Sequence, residues 1–254
     1  MAISNGVIED KTQYEKLEIN GLNCSQSSIM KVAALSCAFD KYKKGLFLSE
    51  HRRCYNEIVA YCNKLVYEEK LEPKRGSFFE DNKNALIDFL PAMGHKQIIV
   101  SKSQKSGTSR RNKEEAVQIV TWLKYHYTTI ADCYSKKSKT DINEKDLVGV
   151  ITPFKSQSIL IKTIIKKEIP DYAQFIDVGT VHTFQGAERK VIIFSSVYGN
   201  EDGCFFINKA ANLMNVAVSR AKDSFLVFGD SECLTGSEKT AAGLLKDMTK
   251  TVVE

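Results

Sequence analysis

The sequence predicts an α/β fold, a parallel β-sheet with helices on both faces. Two observations carry this. From about Leu46 onward, short β-rich runs alternate with helix-length amphipathic segments, strand then helix almost throughout, as βαβ units require. The chain has 254 residues, 43% of them hydrophobic, enough for a sizeable core in one large domain or two small ones.

Residues 1–44 are less regular. Ser25–Cys37 puts Ile29, Val32, Ala33 and Ser36 on one helical face, behind a polar run with no periodic pattern. This stretch reads as a linker or irregular helical segment, residues 45–235 as the α/β domain and 236–254 as a C-terminal helix or tail. Strands are expected near Gly45–Ser49, Lys96–Ser101, Leu147–Thr152, Ile176–Val181, Val191–Val197 and Ser224–Gly229. Helices are expected at Cys54–Tyr67, Lys113–Tyr127, Ser156–Lys167, Asn208–Ala221 and near Gly236–Thr249. Leu71–Pro91, with its EPKRG run, reads as an ordered excursion on one face. The helix at Lys113 has a capping signature, Asn112 at the cap and Glu115 at the third position. The one step without a full helix is the loop between the strands at Ile176–Val181 and Val191–Val197.

Composition narrows the function classes. No apolar run approaches the roughly eighteen residues of a membrane span, and the N-terminus lacks a charged-then-apolar leader, so an intracellular protein of cytoplasm, nucleus or nucleoid is expected, with no membrane partner. The 7 cysteines are odd in number and form no Cys-x-x-Cys pair, which favours reduced core thiols over disulfides or a zinc site. A net charge of +5 and pI near 8.7 permit nucleic-acid binding without demanding it.

Five short constellations carry chemistry. At the start of the Cys54 helix, Arg52 and Arg53 sit where the helix dipole disfavours cations, so they are placed against a penalty. At Thr152, a strand ends in a Thr-Pro helix start, whose free amides suit phosphate oxygens; Gln157 follows one turn later. Residues 178–188 (VGTVHTFQGAE) bring Thr180, His182, Gln185, Gly186 and Glu188 into one loop after a strand. Glycine there allows close backbone approach, and Glu188 can accept from ribose hydroxyls or an arginine. Residues 215–222 (NVAVSRAK) project Arg220 from a helix that must pack on the sheet, and a guanidinium fork suits a γ-phosphate. The serine-rich basic loop from Lys102 to Asn112 reads equally as a solvated loop and as a place where Lys105, Arg110 and Arg111 face nucleotide or nucleic acid.

The stretches at 178–188 and 215–222 resemble motifs V and VI of superfamily 1 helicases, in the branch of the nonsense-mediated-decay RNA helicase and the replication helicase-nucleases. The run from Phe47 to Cys54 is similar to the motif that opens the second motor domain of that family, and the resemblance spans roughly Gly45 to Cys233. It implies a RecA-like second motor domain, related to phosphate-loop NTPases but without a phosphate loop of its own. None of the 14 glycines is followed by lysine, and neither Asp177 nor Asp230 has a second carboxylate beside it as a Mg²⁺ ligand pair. By the resemblance, ATP and Mg²⁺ are held mainly by a first motor domain of the same polypeptide, absent here and preceding residues 1–44. Arg53 and Arg220 then reach the γ-phosphate as catalytic arginines, with Gln185 beside them. The family usually has an aromatic where this chain has Arg52, which leaves open a swap of roles between Arg52 and Arg53. Gly186, Glu188 and Arg52 face the nucleotide. Thr152, Thr180, His182 and Gln157 touch the backbone of single-stranded DNA or RNA, and translocation runs 5′ to 3′.

The implied activity is that of an ATP-dependent helicase in the full-length protein, with the isolated chain inactive. One alternative is a nucleic-acid-binding or protein-interaction module derived from a helicase, with no catalytic role. A flavodoxin-like small-molecule enzyme would need a glycine-rich loop after the first strand, and residues 49–53 (SEHRR) offer none.

Overall fold

A computed structural model describes residues 10–20, 22–23, 29–40, 45–81, 90–99, 102–137, 142–209 and 211–253. The chain divides into two compact units, Met1–Ser49 and Glu50–Glu254. In the first, α1 (Lys11–Ile19) is capped by Asp10, whose Oδ1 accepts from the Thr12 amide at 2.9 Å. The helix α2 (Ile29–Leu35) lies within the stretch expected to be helical; residues 25–28 of that stretch fall outside the described residues.

The second unit is built on a five-stranded, all-parallel sheet of order β3-β9-β8-β6-β7, where β3 is Met93–Gln97, β6 Val148–Thr152, β7 Asp177–Thr180, β8 Arg189–Ser195 and β9 Ala221–Gly229. Its helices are α3 (Asn56–Val66), α4 (Phe78–Asp81), α5 (Lys113–Lys137), α6 (Lys155–Glu168), α7 (Phe205–Lys209), α8 (Ala211–Val218) and α9 (Ala241–Met248). Alternation along the central strands separates two apolar cores. Ile192, Phe194, Phe225 and Val227 pack with Ile58, Tyr61, Met214 and Leu245 on the face of α3, α8 and α9. Ile193, Leu226 and Phe228 pack with Ile119, Leu123 and Ile161 on the face of α5 and α6. The chain is thus a RecA-like α/β fold with helices on both faces of a parallel sheet.

Three local expectations are corrected. No strand forms over Gly45–Ser49; the extended residues are Glu50–His51 (β1), which pair in parallel with Glu72–Pro73 (β2) in a small sheet of their own. The edge strand lies three residues earlier than expected at Lys96, because the parallel register pairs Met93 with Phe225 and Gln97 with Gly229. The basic loop contains an antiparallel hairpin, β4 (Gln104–Ser106) and β5 (Ser109–Arg111), turned at Gly107, whose φ of +60° suits glycine. After α9 the chain returns along the outer edge of β3: the His95 amide donates to Thr251 O and the Val253 amide to His95 O, each at 2.8 Å. That covering removes one open sheet edge.

Candidate functional site

The C-terminal ends of the parallel strands gather the 178–188 loop, and open α/β sheets place ligands at that edge. Beyond Thr180, a 3₁₀ turn over Val181–Phe184 is pinned by buried Val181 and Phe184 and by Thr183 Oγ1, which donates to Thr180 O at 2.7 Å. The anchoring leaves His182, Gln185 and Gly186 exposed and Thr180 half-buried. Gly186 has φ of +88° and nothing within 4 Å of where a Cβ would stand, so the turn is open to a ligand on that side.

From Gly186 the chain turns Glu188 into a cluster of cations. Arg53 Nε lies 2.9 Å from Glu188 Oε2, and Lys222 Nζ is ion-paired to Oε1. Arg220 emerges just after α8 and is held by main-chain carbonyls: Nε donates to Val216 O at 3.2 Å and Nη1 to Ala187 O at 3.3 Å. Partial burial opposes ionisation of Glu188, but the Lys222 hydrogen bond and the charges of Lys222, Arg53 and Arg220 outweigh it and hold the carboxyl below its usual range. Burial first, and the neighbouring Arg53 charge second, lower the pKa of Arg220. A guanidinium stays charged at any physiological pH regardless. Two arginines that repel one another are held close, Arg53 by the Glu188 carboxylate and Arg220 by main-chain carbonyls, which is the electrostatics of a site for a polyanion.

Arg53, Glu188 and Lys222 form one wall of an open cleft of about 550 Å³ that is also lined by Glu50, His51, Arg52, Arg75 and Lys190. Arg52 turns away from Glu188 and pairs with Glu50 at 2.7 Å, with its side chain 70% exposed. The geometry therefore separates the neighbours, Arg53 facing the cluster and Arg52 the solvent. Sequence reasoning missed Arg75. Its guanidinium lies 3.8 Å from the centroid of the Tyr55 ring, donates to Arg53 O and Lys222 O at 2.6 Å each, and is ion-paired to Asp223. Arg75 thereby ties the turn bearing Arg53 to the strand bearing Lys222. The EPKRG run was the visible signal; the role comes from a tertiary contact that no local pattern encodes.

Two expected strand contacts are placed differently. Gln157 is fully buried: Oε1 accepts from the Asn112 amide at 2.8 Å, and Nε2 donates to Asn112 O and Ser195 Oγ at 3.1 Å each. It has no surface to offer a strand, because its amide is spent joining α6 to the start of α5 and the end of β8. Thr152 is also fully buried, its Oγ1 accepting from the Phe154 amide at 3.4 Å. Nor does Thr152 cap α6; Ser109 of the hairpin does, its Oγ accepting from the Ser156 amide at 3.1 Å. The Asn112 cap of α5 is as expected, with the Glu115 amide donating to Asn112 Oδ1 at 3.1 Å. In the hairpin, Lys105 and Arg111 are exposed, whereas Arg110 is paired with Asp202 at 2.6 Å.

Among the described residues, no three His, Cys, Asp or Glu side chains are grouped to hold a metal ion. No helix among them is long and apolar enough to cross a membrane.

Comparison with known proteins gives the family. Residues 26–232 match the AAA_12 family, described as an AAA domain. The chain is 30% identical over 207 residues to the putative helicase mov-10-B.1 of Danio rerio, covering 75% of this chain and 20% of that protein. It is 28% identical over 194 residues to the 5′-3′ DNA helicase ZGRF1 of Mus musculus, covering 75% of this chain and 9% of that protein. To helicase sen1 of Schizosaccharomyces pombe it is 38% identical over 96 residues, which are 37% of this chain and 6% of that protein. The chain thus spans a fifth or less of the length of these relatives. With the parallel sheet, the 178–188 loop and Arg220 in place, the chain belongs to the AAA domain family, as a RecA-like domain of the superfamily 1 helicases in the nonsense-mediated-decay branch.

Proposed function

We propose that this domain is the second half of an ATP-dependent nucleic-acid motor, closing over ATP bound by a phosphate-loop domain of the same polypeptide. The observation that carries this reading is the pairing of Arg53 and Lys222 with Glu188, with the Arg220 charge near enough to help hold that carboxyl ionised. The cleft suits a triphosphate, since several cations line it against Glu50 and Glu188. In this reading Mg²⁺ is held mainly by the partner domain, together with the phosphate loop. Bound ATP with Mg²⁺ supplies the phosphoanhydride to be hydrolysed and neutralises part of its charge.

In this mechanism Glu188 holds the place of the phosphates. While the cleft is open, its carboxylate keeps Arg53 and Lys222 positioned at low cost in repulsion. When the domains close, phosphate oxygens compete for Arg53 and Arg220, which then stabilise charge on the transferring phosphoryl group by permanent, forked donors. Gln185 and Gly186 sit between Glu188 and the strand-facing residues Thr180 and His182, so nucleotide state and grip on the strand share one short loop. Contacts by Thr180 and His182 to phosphate and sugar hold the strand without reading it. Movement runs 5′ to 3′.

Strand binding by the chain tests this reading. Thr180→Ala and His182→Ala are expected to weaken binding to polypyrimidine and mixed-sequence strands to the same degree. A loss confined to one base composition would show base readout instead, and unchanged binding to every strand would remove both residues from the path.

A further inference from the structure

Beside the 178–188 loop, the same sheet edge carries a group of aromatic rings that the arginine cluster does not use. Phe154 follows β6 at the start of α6, and Phe205 and Phe206 open α7. Phe205 is 74% exposed and Phe206 38%, an unusual pairing of large apolar side chains for a water-facing turn. Phe206 and Phe154 are held by ring contacts, and Phe205 stands beside them at the start of α7. Phe154 lies 5.6 Å from Phe206 between centroids, tilted by 41°, and Tyr198 supports it edge-on at 5.4 Å from beneath. Tyr198 Oη accepts from the Phe206 amide at 3.3 Å, while buried Cys204 and Ile207 pin α7 on either side of the exposed pair.

Cations surround the rings. Lys209 Nζ lies 5.7 Å from the Phe205 ring centroid. Lys155 is exposed at the first position of α6, where the helix dipole disfavours it. The hairpin with exposed Lys105 and Arg111 is joined to this place by Ser109, which caps α6, and by Arg110, whose guanidinium lies 5.8 Å from the Tyr198 ring. The acidic Asp202 nearby is already neutralised by Arg110. Exposed rings edged by lysines match the two faces of a single strand, with bases that stack and phosphates that pair.

We propose that Phe205 and Phe206, backed by Phe154, form a base-stacking platform for single-stranded nucleic acid, with Lys155, Lys209 and the hairpin lysine Lys105 tracking its phosphates. The inference rests on the strand-binding reading above and extends it along the edge from β7 to β8. Stacking on any base face makes the platform tolerant of sequence.

The test compares a fluorescein-labelled oligothymidylate with an oligonucleotide of the same length and backbone lacking bases, both titrated with the 254-residue chain at low salt. Phe205→Ala is expected to weaken oligothymidylate binding about tenfold, leaving the abasic strand and the salt dependence unchanged. Phe205→Trp should retain binding, because it keeps the ring. Thermal unfolding checks that the exposed substitution leaves the fold intact. Wild-type chain that binds both strands equally, with Phe205→Ala unchanged, overturns the platform and leaves the strand-binding reading standing. Chain that binds neither strand contradicts that reading and the platform together. Unchanged strand binding with a change in oligomeric state on Phe205→Ala would give the patch to a protein surface, and also overturns the proposal.

Discussion

Arg53 and Glu188 meet through a 2.9 Å contact between Nε and Oε2, although 135 residues apart in sequence (188 − 53). Side-chain exposures of 42% and 36% put the pair at the mouth of the cleft, where solvent screens it and its worth to stability is small. Its value is positional: the carboxylate selects Arg53 over Arg52. In a polypeptide that also carries a phosphate-loop domain, Arg53→Ala is expected to lower kcat by about two orders of magnitude or more, with nucleotide binding falling much less. Arg52→Ala, which breaks only a solvent pair with Glu50, should be far milder. Steady-state kinetics on the two variants checks this, and the reverse ranking would shift the functional arginine by one residue.

Glu188 should compete with phosphate for its own cations. Glu188→Gln removes the charge while keeping the shape, which leaves Arg53 and Lys222 without their anion. The variant is expected to be less stable alone and to gain more thermal stability from added tripolyphosphate than the wild-type chain does. Differential scanning fluorimetry with and without the polyanion measures both shifts. Equal stabilisation of the two proteins would mean that the carboxylate does not guard the cleft.

A third expectation concerns pH. Glu115 is fully buried, and burial pushes its pKa from the ordinary 4.5 up to about 8, against hydrogen bonds from Ser195 and the Val197 amide that favour the charged form. Val197, with φ of 73° on a β-branched residue, is held in that strained conformation by this amide, 3.0 Å from Glu115 Oε2. A carboxyl whose folded pKa is raised favours the folded state fully below 4.5 and loses that contribution as pH rises towards about 8. Melting temperature should therefore decline across that window. Glu115→Gln should flatten the decline, and an unchanged slope would assign the pH dependence to other groups.

The sheet, the 178–188 loop and the helix end bearing Arg220 were legible in sequence because their signals are local. Apolar runs mark β6, β8 and β9, and Thr180, Gln185, Glu188 and Arg220 sit at fixed distances from strand or helix ends. What was not legible depends on tertiary packing. The hairpin strands Gln104–Ser106 and Ser109–Arg111 are short and polar, with no alternation to betray them. Arg75 acquires its role only through Tyr55 and Asp223. Gln157 lies at the expected helix start, but which way its amide turns is decided by Asn112 and Ser195, far away in the chain.

That difference is itself testable. Gln157→Ala leaves the buried Asn112 amide without its partner, an effect of about 1–3 kcal/mol on stability, whereas the Asn112 carbonyl still accepts from the Ala116 amide. The melting temperature should fall clearly, while strand affinity of the folded protein stays as it was. An unchanged melting temperature with lost strand binding would bring Gln157 back to the surface.

The central claim is that Arg220 acts on ATP held by another domain. ATP turnover measured side by side tests it: the 254-residue chain alone, a polypeptide joining it to a phosphate-loop motor domain, and that polypeptide with Arg220→Ala. The chain alone is expected to show no turnover. Turnover by the joined protein is expected to fall by about a hundredfold or more in the variant, with ATP binding largely kept. Turnover by the purified chain alone that Arg220→Ala abolishes, or joined-protein turnover indifferent to Arg220→Ala, would contradict it.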